Sequence, residues 1–461
     1  MLSIGKASWT EQPDGYLDRT PILQFVLTSL MFAIWGAASS LNDILITQFK
    51  AVFDLSDLAT AFVQSAFYGG YFIMAVPVSL FLKKTSYKVG IMAGLAVFGV
   101  GCFLFFPASN IVTYELFLFA IFIEAIGLSC IETSSDTYAT VMGPKRLGTL
   151  RLNVAQMFNA MGLIIGILMG KYLVFQDSNL KEEMAGMSPE QARAYGAEQL
   201  GRTLEPYKWF LVMLAVLLVL FALTKFPRCR VHNDEGKVQS APLRETLSHL
   251  VRNRRYMTGI GAQFLFVGAQ IGIWSFTIRL ALELNPGLSD RDSSNFMIIS
   301  YAAFFVGRLV ASSLLTRFRE TRVLAAYMLL GAGFICAGLF TQGTLAVWLI
   351  VCASFFLGPG WPTTYAHILG TVKDRRYTET AGAIIVMALI GGAVMPAVQG
   401  AISDAFGMHT SFLLPAVELA IVGVYFLLEM KHDRLTPQQQ RELEREMERG
   451  AGGETGYVTA E

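Results

Sequence analysis

Apolar residues run along this chain in twelve long blocks, near 22–48, 58–82, 88–108, 113–142, 148–174, 206–226, 254–283, 294–315, 321–341, 344–370, 377–403 and 409–430. Each is long enough to cross a bilayer, which takes roughly 20 residues. Backbone amides in hydrocarbon must be paired within their own segment, so each block predicts an α-helix. The expected fold is an all-α membrane protein of twelve transmembrane helices. Composition agrees: 54% of residues are hydrophobic and 15% charged, where a soluble domain carries about 25% charge.

The polar segments organise these blocks. The hydrophilic stretch Lys225 to Arg255 separates the first six from the last six, and the halves echo one another. Thr137-Tyr138-Ala139-Thr140-Val141-Met142-Gly143 precedes one basic loop, and Thr364-Tyr365-Ala366-His367-Ile368-Leu369-Gly370 precedes its counterpart. The expected organisation is a six-helix bundle over 1–226, a linker over 227–253, a second six-helix bundle over 254–430 and a tail over 431–461. Duplicated bundles of this kind rock about a central site, giving alternating access.

Lys and Arg collect in alternate loops: Lys83, Lys84 and Lys88, then Lys145, Arg146 and Arg151, then the linker, then Arg317, Arg319 and Arg322, then Lys373, Arg375 and Arg376. Positive residues are retained on the cytoplasmic side, so both termini, the linker and the tail are expected there. The loop 176–207 is the exception, mixing both charges, and reads as an exterior lid in which Ser188-Pro189-Glu190-Gln191 opens a short helix. Thr436 to Arg449 reads as a solvated helix of mixed charge. Gly162, Gly166 and Gly170 form a stripe along the fifth span that would admit another helix closely.

Several classes drop out. A net charge of +1 without a basic patch gives no reason for a nucleic-acid partner. Five cysteines without paired spacing suggest neither a disulfide framework nor a metal site. No nucleophile constellation or phosphate loop appears, so no enzyme, cofactor or metal is expected. The polar first twenty residues precede a run too long for a signal-peptide core, and that run reads as an uncleaved first span.

Acids within the spans are the sharpest chemical signal, because a charge at the bilayer centre costs about 2.5–3.5 kcal/mol on insertion scales. Asp43 lies in the first span, and Glu124, Glu132 and Asp136 lie in the fourth. Glu132 and Asp136 are four apart on one helical face. Two carboxylates so placed cannot both ionise easily when dry, so at least one is expected to hold a proton near neutral pH. Asp43, Glu132 and Asp136 are the candidates for proton coupling. Asp136 has two other readings, contact with substrate hydroxyls or a place at the cytoplasmic mouth. Neutralisation by a buried Arg or by water is the structural alternative for all three, and Glu124 and Glu418 stay unassigned.

Amides offer both donors and an acceptor, which suits vicinal hydroxyls. Asn153, Gln156 and Asn159 share a stripe of the fifth span, and Gln64 and Gln270 could face the same cavity. Each alone reads equally well as an interhelical hydrogen bond. Aromatic faces pack against the apolar side of a sugar ring, and Trp274, one turn from Gln270, is the first candidate, with Tyr68, Tyr365 and Trp361 behind it. The substrate-binding set is therefore Glu132, Gln156, Asn159, Gln64, Tyr68, Gln270, Trp274 and Tyr365. Arg308 is a buried cation that either partners an acid or snorkels to the membrane surface.

These residues carry a resemblance. The chain resembles the fucose permeases of the fucose–galactose–glucose–proton symporter group within the major facilitators, from about Ile22 to Leu428. It rests on Leu41-Asn42-Asp43-Ile44-Leu45, Gln64-Ser65-Ala66-Phe67-Tyr68, Lys83-Lys84-Thr85-Ser86-Tyr87-Lys88, Arg151-Leu152-Asn153-Val154-Ala155-Gln156 and Phe266-Val267-Gly268-Ala269-Gln270. The resemblance implies that Asp43 and Glu132 are the two proton-coupling carboxylates and that Gln156 is the amide beside the sugar. It also implies a single chain acting in a bacterial cytoplasmic (inner) membrane on a monosaccharide and a proton, L-fucose being the first candidate.

Two departures qualify it. The family commonly follows Glu-Thr with Asn-Pro, where this chain has Glu132-Thr133-Ser134-Ser135-Asp136-Thr137, and Ser40 stands where fucose permeases tend to have Asn. A sodium-coupled or uncoupled hexose carrier, for glucose or galactose, is the near alternative, and a drug exporter of the same fold the distant one.

Overall fold

A computed structural model describes residues 9–12, 14–53, 57–111, 113–174, 186–229, 241–285 and 287–433. Among them twelve helices are long and apolar enough to cross a membrane. The first half comprises α1 (Ile22–Val52), α2 (Asp57–Lys84), α3 (Tyr87–Ile111), α4 (Tyr114–Val141), α5 (Gly148–Met169, ending in a π turn over Gly170–Val174), α6 (Pro189–Thr203) and α7 (Glu205–Leu223). A short helix α8 (Leu243–Arg252) lies in the linker. The second half comprises α9 (Arg254–Leu284), α10 (Asp290–Leu315), α11 (Glu320–Leu339), α12 (Thr344–Leu357), α13 (Gly360–Gly370), α14 (Thr378–Met387), α15 (Gly391–Phe406) and, after a single turn at Met408–Ser411, α16 (Leu413–Glu429). The tail segment Thr436 to Arg449 lies outside the described residues.

The helices are inside-out relative to a soluble protein. Val212, Val216 and Val219 of α7 and Val100 and Phe103 of α3 are exposed, so outward stripes at helical spacing are apolar, as lipid contact requires. Polar side chains turn inward. All residues of α4 from Gly127 to Val141 are buried, Glu132, Ser135 and Asp136 among them. The helix runs unbroken past Asp136, consistent with the absence of proline there.

Glycine sets how closely the helices approach. A Cβ on Gly36 of α1 would lie 2.1 Å from the backbone oxygen of Asn159, and one on Gly162 of α5 would lie 2.1 Å from that of Ala33. Helices α1 and α5 therefore meet backbone to backbone, and the expected stripe is this contact. In the second half, Gly307 of α10 makes an equally tight approach to Phe355 of α12, and Gly358 to the backbone of Arg308.

Two blocks that read as single spans are broken. The tenth divides between α12 and α13 at Gly358-Pro359, and the eleventh passes through a 3₁₀ turn, Ala388–Ile390, between α14 and α15. Arg151, read as a loop charge, is instead buried in the first turn of α5. It donates to the carbonyls of Ala139 (3.1 Å), Pro144 (2.7 Å), Thr140 (2.5 Å) and Gly143 (3.3 Å). These include carbonyls freed at the C-terminus of α4, which a cation satisfies well. At the same end of the second half, Arg255 pairs with Glu429 at 2.5 Å, while His367 meets Glu320 at 2.8 Å and Glu429 at 3.3 Å. That cluster ties α9, α11, α13 and α16 together. On the opposite side, Ser188 caps α6 in a capping box with Gln191, so the helix expected in the 176–207 loop is present.

Gly162→Leu should destabilise the protein by at least about 1–3 kcal/mol, since the added side chain drives into backbone. Gly333→Ala, where a Cβ meets nothing within 4 Å, should stay within about 0.5 kcal/mol of the parent. Thermal unfolding in detergent checks both, and equal stability of the two variants would refute the α1–α5 contact.

Candidate functional site

A cavity lies between the two halves. From the first half it is lined by Trp35 of α1, Tyr68 of α2, Glu132 of α4, and Gln156 and Asn159 of α5. From the second come Val267, Gln270 and Ile271 of α9, Arg308 of α10, Trp361 of α13 and Leu389 from the 3₁₀ turn. Each element supplies its residues from the face turned toward the other bundle. Acid, amides, cation and aromatic faces thus converge on one space.

The cavity is contracted. The room open to the centre of a water-sized sphere is about 20 Å³, close to what a single water needs. The halves touch on both sides of it. Lys171 donates to Asn295 at 2.5 Å, Asn153 donates to Thr363 at 3.2 Å, and the Thr137 and Tyr365 hydroxyls meet at 3.1 Å. Lys171 and Asn153 are eighteen residues apart on one helix, about 27 Å at 1.5 Å per residue. The seam is closed over most of the thickness of a bilayer core.

Glu132 is 4% exposed. Trp35 and Tyr71 stand beside its carboxyl, Trp35 Nε1 donates to the Tyr71 hydroxyl, and Oε2 has no partner among the described residues. Asp136, one turn further on, is fully buried behind the cavity. Its Oδ1 accepts from Gln156 Nε2 at 3.0 Å, while Oδ2 and the Trp361 indole nitrogen are both unpaired among the described residues. Gln156 thus both holds Asp136 and lines the cavity.

Arg308 spans the seam. Its guanidinium donates to the carbonyl of Gln156 in the first half and, at 2.6 Å, to that of Gly358 in the second. It lies 4.4 Å from the centre of the Phe304 ring and interacts electrostatically with Asp136. The break at Gly358-Pro359 makes this possible, because a carbonyl at a broken helix end is free to accept. The buried cation therefore partners an acid and two carbonyls.

Of the residues named from sequence, the structure brings Glu132, Gln156, Asn159, Tyr68 and Gln270 together around the cavity. Trp274 stands one turn beyond Gln270, its indole donating to Ser354 at 3.3 Å and its ring edge-on to Tyr301 and Phe304. Tyr365 is fully buried on the Thr137 side, and Gln64 is buried one turn before Tyr68. None of these three lines the cavity. Asp43 belongs to α1, and its side chain lies outside the described residues. Trp35 was not singled out by sequence reasoning; a tryptophan beside the α1–α5 glycine contact was its available signal.

A family model described as the Major Facilitator Superfamily matches residues 23–289 and 280–451. The chain belongs to that superfamily. It is 36% identical over 415 residues to the L-fucose-proton symporter of Escherichia coli, covering 89% of this chain and 94% of that protein. It is 31% identical to the symporter of the same description from Haemophilus influenzae, covering 89% and 97%. The Glucose/galactose transporter of Brucella abortus is 29% identical, covering 88% and 94%. A crystal structure of the E. coli fucose:proton symporter superposes with a TM-score of 0.74 at 35% identity, covering 89% of this chain and 99% of that one. The chain is accordingly a multi-pass membrane transporter of the L-fucose–proton symporter family.

Arg308→Met should cost about 3–5 kcal/mol, because it leaves Asp136 as a buried acid without its cation. Combining it with Asp136→Asn should recover part of that loss. Thermal unfolding of the two single variants and the double checks this, and strictly additive losses would refute the coupling.

Proposed function

We propose that this protein accumulates a neutral monosaccharide by symport with a proton, L-fucose being the first sugar to test, by alternating access of one site between its two bundles. The observation that carries the reading is the cavity: one carboxyl with an oxygen unpaired among the described residues, flanked by amides and aromatic rings from both halves. Hydroxyl-rich ligands are recognised by such amides and carboxylates, which satisfy each hydroxyl as donor or acceptor. The indole and phenol faces of Trp35, Trp361 and Tyr68 supply apolar surface for the ring. The E. coli relative, named for L-fucose and the proton, sets the order of testing.

In this reading Glu132 both holds the coupled proton and contacts the sugar. Gln156, Asn159 and Gln270 read its hydroxyls, and Tyr68 with the two tryptophans encloses its ring. Trp274, Tyr365 and Gln64 support the wall from behind. Asp43 exchanges the proton with Glu132, and Asp136 orients Gln156 and balances Arg308. An ionised Glu132 in a closed seam is costly, so the bundles close readily only when it is protonated, and that linkage couples proton to sugar. A membrane potential then adds about 2.3 kcal/mol per charge per 100 mV to accumulation. The protein works as a single chain in a bacterial cytoplasmic membrane, with both termini inside, and performs no covalent chemistry.

The test is uptake into proteoliposomes in sodium-free buffer, with L-fucose, D-arabinose, galactose, glucose and mannose compared under an inwardly directed proton gradient. L-fucose is expected to accumulate uphill; dependence on sodium instead would select the near alternative. Glu132→Gln should retain exchange of sugar across the membrane but lose uphill accumulation, and wild-type accumulation in that variant would sink the assignment. Gln156→Ala should weaken sugar binding by about tenfold, or 1.4 kcal/mol, read by titration calorimetry. Unchanged affinity would remove Gln156 from the site.

A further inference from the structure

Glu124 lies eight residues before Glu132 on α4, about 12 Å along the helix, and takes no part in the cavity. It is 1% exposed, and neither carboxyl oxygen has a hydrogen-bond partner among the described residues. A Cβ on Gly101 would lie 2.5 Å from its backbone nitrogen, so α3 is pressed against α4 at this level. The titratable groups that face it are Cys102 of α3, Tyr207 of α7 and Tyr71 of α2. On α1, the side chain of Asp43 lies outside the described residues. No Lys, Arg or His among the described residues faces it. A charge buried there with no cation beside it among the described residues is costly, which favours the neutral carboxyl.

Two hydroxyls complete the arrangement. That of Tyr207, at the start of α7, is buried and also unpaired among the described residues. That of Tyr71 accepts from Trp35 Nε1 and interacts with both Glu124 and Glu132. A phenol oxygen can accept twice and donate once. With Trp35 in one lone pair, Tyr71 retains one further acceptor position and its own proton.

We propose that Glu124 is a further proton-binding site of this transporter, filled from the Tyr207 side and emptied through the Tyr71 hydroxyl onto Glu132. Glu124 makes no hydrogen bond to Tyr71 in this conformation, so the transfer runs through one water admitted as the bundles part: the O–H bond of the Glu124 carboxyl breaks as its proton goes to that water, which passes one of its own protons to the Tyr71 oxygen. The phenol proton of Tyr71 moves to the Glu132 carboxylate, forming the new O–H bond there. The net change is one proton moved from Glu124 to Glu132, and the carboxylate left behind is refilled past Tyr207. The proposal rests on proton-coupled symport, and it gives a role to an acid that the sugar site leaves idle.

The experiment records proton entry with a pH-sensitive dye trapped in proteoliposomes when sugar is added, alongside sugar exchange at equal pH. Wild-type protein should take up protons with sugar; absence of that signal would overturn the symport reading itself. Glu124→Gln should slow sugar-coupled proton entry by about tenfold or more and flatten its pH profile, while leaving sugar exchange and affinity near wild type. Glu124→Asp should restore much of the rate, and Tyr207→Phe should slow it in the same direction. With the wild type coupled, proton entry at full rate in Glu124→Gln, or equal loss of exchange and proton entry, would overturn the relay and leave the symport reading in place. If Glu124→Gln fails to fold, an unaltered pH profile in Tyr207→Phe overturns it equally.

Discussion

A polar group buried in this protein has nowhere to send its hydrogen bond except to another part of the same chain, because the surrounding solvent is hydrocarbon. The structure follows from that constraint. Lipid-facing stripes are apolar, and Glu132, Gln156, Asn159, Gln270 and Arg308 gather at the seam where two bundles meet. Arg308 shows how far this goes: it reaches one carbonyl in each bundle and faces the acid Asp136. A cation that would be expensive alone becomes the fastener between halves.

The seam is also where transport chemistry is affordable. Glu132 faces the cavity from one bundle, with amides and aromatic rings of both around it. Asp136 adds a second acid one turn away, yet its Oδ1 is taken by Gln156 and its field is met by Arg308. The two carboxyls thus stand in different surroundings despite sharing one helical face. One is presented to the cavity, and the other holds an amide in place.

The twelve spans and the buried acid of the fourth were legible because each is a local property of the sequence: block length, and an acid in an apolar run. Glu132, Gln156 and Asn159 fall to the cavity as helical spacing anticipates. Trp274 and Tyr365 do not line it, because which face of a helix meets the opposite bundle depends on packing, and in a stretch like Gly127 to Val141 every position is buried, leaving no periodicity to read. Trp35 was missed for the same reason. The break at Gly358-Pro359 was written in the sequence, but its meaning, a free carbonyl for Arg308, needed the other helix beside it. Arg151 looked like a loop charge because sequence does not show where α4 ends and which carbonyls it leaves open.

The contracted cavity has a consequence for how tightly any ligand can be held. The cavity has room for the centre of little more than one water, so a monosaccharide enters only after the bundles part, and the free energy of parting is subtracted from every measured affinity. If the parted form is only a hundredth of the population, apparent affinity falls by about a hundredfold relative to the intrinsic contacts. Weak binding would then report a well-made site behind a closed seam, and a substitution that loosens the seam far from the sugar would tighten binding without touching it.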